Sequence, residues 1–221
     1  MRFVLEGIYD KRGFKFANEM AKGAYGFDFR PRSFNFIQGY VIEELLKESL
    51  LKLEDIIELH FENDAPFVVD SIIEQVAKIH PNIRINYGTS GLHTKEELER
   101  SGKPFSIIFD ISDSQVYEKI QSHLCQSVVF LYDDIHQMAQ QGQLNSFIVN
   151  FYTKVMSSKN EKFELGMKLN WDSNLSIGII EQLDPDYIKF EISSQVERCY
   201  RNIDVPKLSE YFGATIKALA I

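Results

Sequence analysis

Two carboxylates stand at the ends of short apolar runs, and their positions are the first chemical signal in the chain. Glu6 closes Arg2-Phe3-Val4-Leu5, and Asp133 closes Phe130-Leu131-Tyr132. A carboxylate at a strand end can take or give a proton once its surroundings tune its pKa. Both have plainer readings: Asp133 or Asp134 could cap the next helix, and Glu6 could be solvated or paired with a basic group. Arg30 and Arg32 suit bidentate capture of a carboxylate or phosphate, or simply a soluble surface. Ser193 and Ser194 offer hydroxyl donors to an anion, and serines at a strand end are equally ordinary turn formers.

Other chemistries find little support. The five histidines (His60, His80, His93, His123 and His136) show neither His-x-His nor His-Glu-x-x-His spacing. His60, within a strand pattern, is the one expected near the centre, packed or hydrogen-bonded. Asp133-Asp134 with His136 is carboxylate-rich but generic in spacing, so no metal is expected. With no G-x-G-x-x-G or P-loop, no cofactor is expected either, and Gly88-Thr89-Ser90-Gly91 reads as a plain turn. Cys125 and Cys199 have no metal spacing and fit a reducing compartment.

The balance of 24 basic against 32 acidic residues gives a net charge of −8, the wrong sign for a nucleic-acid or anionic-membrane binder. No run approaches the roughly 20 apolar residues of a membrane span, and the apolar run near Met1 is too short for a leader. A cytoplasmic location is therefore expected. The expected partners are a small-molecule ligand, anionic if the arginines hold it, and a second copy if the apolar tail 216–221 contacts one. That tail could equally be the end of the last helix.

Elements must exist to position these groups. At 221 residues and 44% hydrophobic content, the chain reads as a single domain over 1–221 that needs neither metal nor disulfide to fold. Eight short β-rich runs are expected: Arg2–Ile8, Ala24–Phe29, Ile56–Glu62, Ile83–Tyr87, Phe105–Ile111, Ser127–Tyr132, Glu164–Asn170 and Tyr187–Ile192. Several carry consecutive apolar residues, as strands covered on both faces do. Between them lie amphipathic stretches such as Phe67–Val76. Helix starts are signalled by Asn63-Asp64-Ala65-Pro66, by the capping box of Thr94 and Glu97, and by Asp113 before Gln115–His123. Eight strands and eight helices make about 28 residues per unit, close to the ~30 of a βα repeat. That predicts a single-domain (β/α)8 TIM barrel. An open doubly wound sheet, the competing architecture, would leave two strands over.

The first 40 residues resemble the start of phosphoribosylanthranilate isomerase, an enzyme of tryptophan biosynthesis. That family has a first strand ending Cys-Gly-Ile/Leu, then Gly-Phe-x-Phe, then Pro-Lys-Ser-x-Arg. Here Glu6-Gly7-Ile8 ends the strand, Gly26-Phe27-Asp28-Phe29 begins 20 residues after Glu6, and Arg30-Pro31-Arg32-Ser33-Phe34-Asn35 follows. Near the other end, Phe190-Glu191-Ile192-Ser193-Ser194-Gln195-Val196-Glu197 resembles the family's Asp-Val-Ser-Ser-Gly-Val-Glu. Asp204 to Leu208 resembles the start of its last helix. The matched pieces bracket the chain, while the middle agrees in element order.

The resemblance also locates departures. The position of the family's catalytic cysteine is Glu6, and that of its substrate-contacting arginine is Asn35. The phosphate-binding Gly-Gly corresponds to Asn170-Trp171, and the eighth-strand glycine to Gln195. Asp134-Ile135-His136-Gln137-Met138 stands in place of a glycine-rich loop. Bulky side chains obstruct the close amide approach that a phosphate needs, so the family's own substrate is not expected to bind.

The resemblance implies a sugar aldose-ketose isomerase acting on an altered substrate, with Glu6 as base and Asp133 as acid across the barrel mouth. Arg30, Arg32, Asn35, Asn170, Trp171, Ser193 and Ser194 would then contact the substrate. Trp171, the only tryptophan, would stack on a ring or plug the mouth, and Glu191 would orient a neighbour. The alternative is a catalytically silent barrel that serves as a binding or assembly module.

Overall fold

The computed structural model describes the chain apart from residues 22, 49–50, 53–54, 63, 90–92, 156–162 and 220–221. Eight parallel strands close on themselves in chain order: β1 (Arg2–Glu6), β2 (Ala24–Asp28), β3 (Ile56–Phe61), β4 (Arg84–Thr89), β5 (Phe105–Ile108), β6 (Cys125–Leu131), β7 (Glu164–Leu169) and β8 (Tyr187–Glu191). Closure is made by β8 pairing with β1 from Arg2↔Tyr187 to Glu6↔Glu191. The chain is a (β/α)8 barrel, as its repeat predicted, and not an open sheet.

Around it run α1 (Lys11–Phe16), α2 (Gly39–Lys47), α3 (Pro66–Ile79), α4 (Lys95–Ser101), α5 (Val116–Gln121), α6 (Tyr132–Gln140), α7 (Leu144–Lys154), α8 (Ile177–Leu183) and α9 (Val205–Ala218). Among the described residues there are thus nine α-helices rather than eight. The extra one arises between β6 and β7, where Gly142 at φ +70° turns the chain out of α6 and into α7. A small antiparallel hairpin, β9 (Glu197–Cys199) with β10 (Asn202–Ile203), also precedes α9.

Side chains alternate across each strand, so the register fixes which residues share the lumen. Val4 and Glu6 face it with Lys189 and Glu191, whereas Phe3 and Leu5 turn outward with Ile188 and Phe190. The main core lies between the barrel's outer face and the helices. Phe212 of α9 is buried there against the rings of Phe3 at 5.0 Å, Phe16 at 5.7 Å and Phe190 at 6.1 Å. Each such aromatic pair adds about 0.5–1.5 kcal/mol beyond area burial.

The helix starts follow local chemistry with one correction. Thr94 and Glu97 form the expected capping box on α4, and Asp113 accepts from the Gln115 amide ahead of α5. At α3 the N-cap is Ala65 with no side-chain cap, and Pro66 opens the helix. Asp64 instead accepts from the Glu62 amide at 3.2 Å, and Asn63 lies outside the described residues. The turn expected at Gly88 is also corrected. Gly88 and Thr89 belong to β4, paired with His60 and Phe61 of β3, while Ser90 and Gly91 lie outside the described residues. The apolar tail continues α9 as far as Ala218. No helix of the described residues is long and apolar enough to cross a membrane.

Candidate functional site

The C-terminal half of the lumen is filled by charge. Glu6 from β1, Glu58 and His60 from β3, Lys168 from β7, and Lys189 and Glu191 from β8 point into it, each brought inward by strand alternation. Lys189 Nζ is the hub, 2.8 Å from Glu6 Oε1 and 2.9 Å from both carboxylate oxygens of Glu58. His60 Nε2 lies 2.9 Å from Glu6 and 3.4 Å from Glu58. Lys168 Nζ completes the ring, 3.1 Å from Glu6 Oε2 and 2.6 Å from Glu191 Oε2. Small residues make room. A Cβ on Gly26 would fall 2.9 Å from the Glu6 backbone and side chain, and one on Gly88 would collide with the His60 ring.

Three carboxylates face two lysines, so a protonated His60 balances the cluster. Burial by itself would lower the His60 pKa, but the charges of Glu6 and Glu58 outweigh it and raise the pKa above its ordinary value. Burial would likewise raise the Glu6 carboxyl, yet Lys168, Lys189 and His60 hold it well below the usual carboxylate range. Lys168 and Lys189, opposed by burial but held by their carboxylates, are raised. Glu6 is therefore locked as an anion. The buried cations around it outweigh the effect of burial on its pKa.

Little space is left above the cluster. The cavity at the mouth is about 20 Å³, room for one water molecule, and is lined by Glu6, Asp28, Arg30, His60, Lys168 and Glu191 among others. Arg30 closes its edge as a fork on Asp28, with Nε at 2.9 Å and Nη2 at 2.5 Å. Burial opposes this pair, but the Arg30 and Ser33 hydrogen bonds hold Asp28 below its ordinary pKa. Glu6, Glu58 and His60 are also the one group among the described residues whose ligand atoms lie close enough to share a metal ion. The Lys189 ammonium already contacts both carboxylates of that group, so a cation of the protein's own supplies the balancing charge.

The other residues singled out from sequence are scattered. Asp133 does not meet Glu6. It sits exposed in the first turn of α6, where its Oδ2 accepts from Asn170 Nδ2 at 2.7 Å. Neither Asp133 nor Asp134 caps the helix, whose N-cap is Leu131. Trp171 neither stacks over the mouth nor plugs it. It is buried on the barrel's outer side, stacked on Phe190 at 4.6 Å and donating from Nε1 to the Glu191 carbonyl at 2.7 Å. The adjoining Phe190 faces outward, which draws the indole away from the axis.

Asn35 is buried and donates to the Ile192 carbonyl at 2.7 Å, tying the β2 loop to the end of β8. Arg32 is exposed and does not line the mouth. Ser193 caps a single 3-10 turn, Ser194–Val196, accepting from the Gln195 amide at 3.3 Å, and Ser194 is exposed. Glu58, Lys168 and Lys189 were missed. Their signal was present as single charges inside apolar strands, Ile57-Glu58-Leu59 and Ile188-Lys189-Phe190, which require a buried counter-charge.

No family model matches the chain, and no curated protein matches it. Solved structures do. TrpF from Jonesia denitrificans superposes at a TM-score of 0.67 with 12% identity, covering 100% of this chain and 98% of that one. Phosphoribosylanthranilate isomerase from Thermotoga maritima, described as a dimeric enzyme studied as monomers, gives 0.64 and 14%, covering 99% and 100%. The enzyme from Thermus thermophilus gives 0.63 and 14%, covering 99% and 100%. In fold, end to end, the chain is similar to the phosphoribosylanthranilate isomerases.

Proposed function

We propose that this barrel is catalytically silent at its mouth and serves as a binding or assembly module. One observation carries the reading: Glu6, at the position of the family's base, is held as an anion by three cations under a cavity of about 20 Å³. Small-molecule sites usually enclose some 300–1,000 Å³. Proton abstraction needs a base whose pKa approaches the working pH and whose carboxylate reaches substrate. The lowered pKa of Glu6 and the small cavity above it argue against that role, and the hydrogen bond of Asp133 to Asn170 supports the same reading.

The test is isomerisation of N-(5'-phosphoribosyl)anthranilate by the purified protein, together with growth of a tryptophan auxotroph lacking the isomerase. No turnover and no growth are expected. Turnover abolished by Glu6→Gln would overturn the silent reading and show that the family's own substrate is still accepted.

A further inference from the structure

A second, larger opening lies on the same end of the barrel but off its axis, between the loop after β5 and helix α6. Its volume is about 360 Å³, within the range of small-molecule sites. The floor is apolar, formed by Phe109, Phe130, Ile135 and Met138. It is also firm, because Phe109 and Phe130 pack on each other at 5.3 Å and on Phe151 behind them at 5.9 and 5.0 Å. The methionine adds an adaptable thioether surface.

The polar lining has one sign. Asp110 and Asp134 supply carboxylates, the remaining polar groups are neutral glutamines such as Gln137 and Gln141, and no Lys, Arg or His lines the opening among the described residues. Asp110 is oriented by its own loop, accepting from the Ser112 amide at 2.8 Å and the Ser112 hydroxyl at 2.6 Å. Asp134, exposed at the rim near Asp133 and Asp110, has its pKa raised by partial desolvation first and by those like charges second. The charged groups of the groove's lining are thus acidic alone.

We propose that the groove binds a small organic cation: a protonated amine carried on an aromatic or aliphatic body. The floor removes the body from water, and the ammonium meets Asp110 and Asp134 in charge-assisted hydrogen bonds at the rim. An anionic ligand is disfavoured by the same carboxylates. The site goes beyond the silence of the mouth and is independent of it, since the two openings share no lining residue.

Titration calorimetry of the full chain with 2-phenylethylamine at neutral pH tests this, with 2-phenylethanol as the uncharged match. Saturable one-site binding of the amine is expected, at least tenfold tighter than the alcohol. The Asp110→Asn, Asp134→Asn double variant should lose at least tenfold in amine affinity with its thermal midpoint kept, because both side chains are exposed. Equal binding of the two probes, an unchanged affinity in the double variant, or no saturation by 10 mM amine would overturn the proposal. None of these outcomes bears on the isomerase assay, so the two readings fail separately.

Discussion

Replacing Lys189 by methionine keeps most of the side chain's volume and deletes one charge from a site only 2% exposed. The ammonium contacts Glu6 at 2.8 Å and Glu58 at 2.9 Å, so both carboxylates lose their shortest cationic contact together. Removing one member of a buried ion pair costs about 3–5 kcal/mol, because the remaining charge is left without compensation. With two carboxylates affected, the upper end, about 5 kcal/mol, is expected. Against a domain stability on the order of 5–15 kcal/mol that loss is large. For a chain of this size it corresponds to a melting shift of roughly 10–20 °C.

Urea unfolding followed by circular dichroism measures it. Adding Glu58→Gln to the Lys189→Met variant returns the cluster to neutrality and should recover more than half of the loss. A Lys189→Met penalty below about 1 kcal/mol would refute the reasoning. So would a Glu58→Gln change that deepened the loss instead of reversing it.

Three further outcomes follow from the structure. The folded-state pKa of His60 is raised, so its stabilisation is complete below the unfolded value of about 6.5 and fades as pH rises through the folded pKa. The urea midpoint should therefore fall between pH 6 and 9, and His60→Gln should flatten that slope; a slope unchanged by the substitution would show the cluster is not its source. Glu6 and Asp28 have lowered pKa values, so their stabilisation is present above the ordinary carboxylate range and is lost as pH falls through their folded values. Gly7 sits at φ +72°, and a Cβ there would collide with the buried Asn35 side chain. Gly7→Ala should cost about 1–3 kcal/mol in thermal unfolding, and wild-type melting would contradict the packing described.

The alternation of strand and helix patterns was enough to specify the barrel. Eight apolar runs separated by helix-bearing stretches need covering on both faces, and a closed parallel sheet satisfies all of them without an edge. The capping box at Thr94 was legible because it is made within four residues. The extra helix α7 was not, because a single glycine interrupts an otherwise continuous amphipathic stretch. Position along the chain likewise placed Glu6 at the rim but could say nothing of what faced it.

The cluster exists because closure brings β3, β7 and β8 around β1, and its members are up to 185 residues apart in sequence (Glu6 to Glu191). Coulomb energies depend on separation and surroundings, not on sequence distance, so the fate of the Glu6 carboxylate was decided only in three dimensions. Trp171 teaches the same lesson through packing. Its sequence position lay beside the mouth, but the stack on outward-facing Phe190 and the bond to the Glu191 carbonyl drew it into the outer layer. Local patterning thus determined the scaffold and the heights of its charged residues. Long-range burial alone determined which charges are neutralised, which carboxylates stay exposed, and where an opening large enough for a ligand is left.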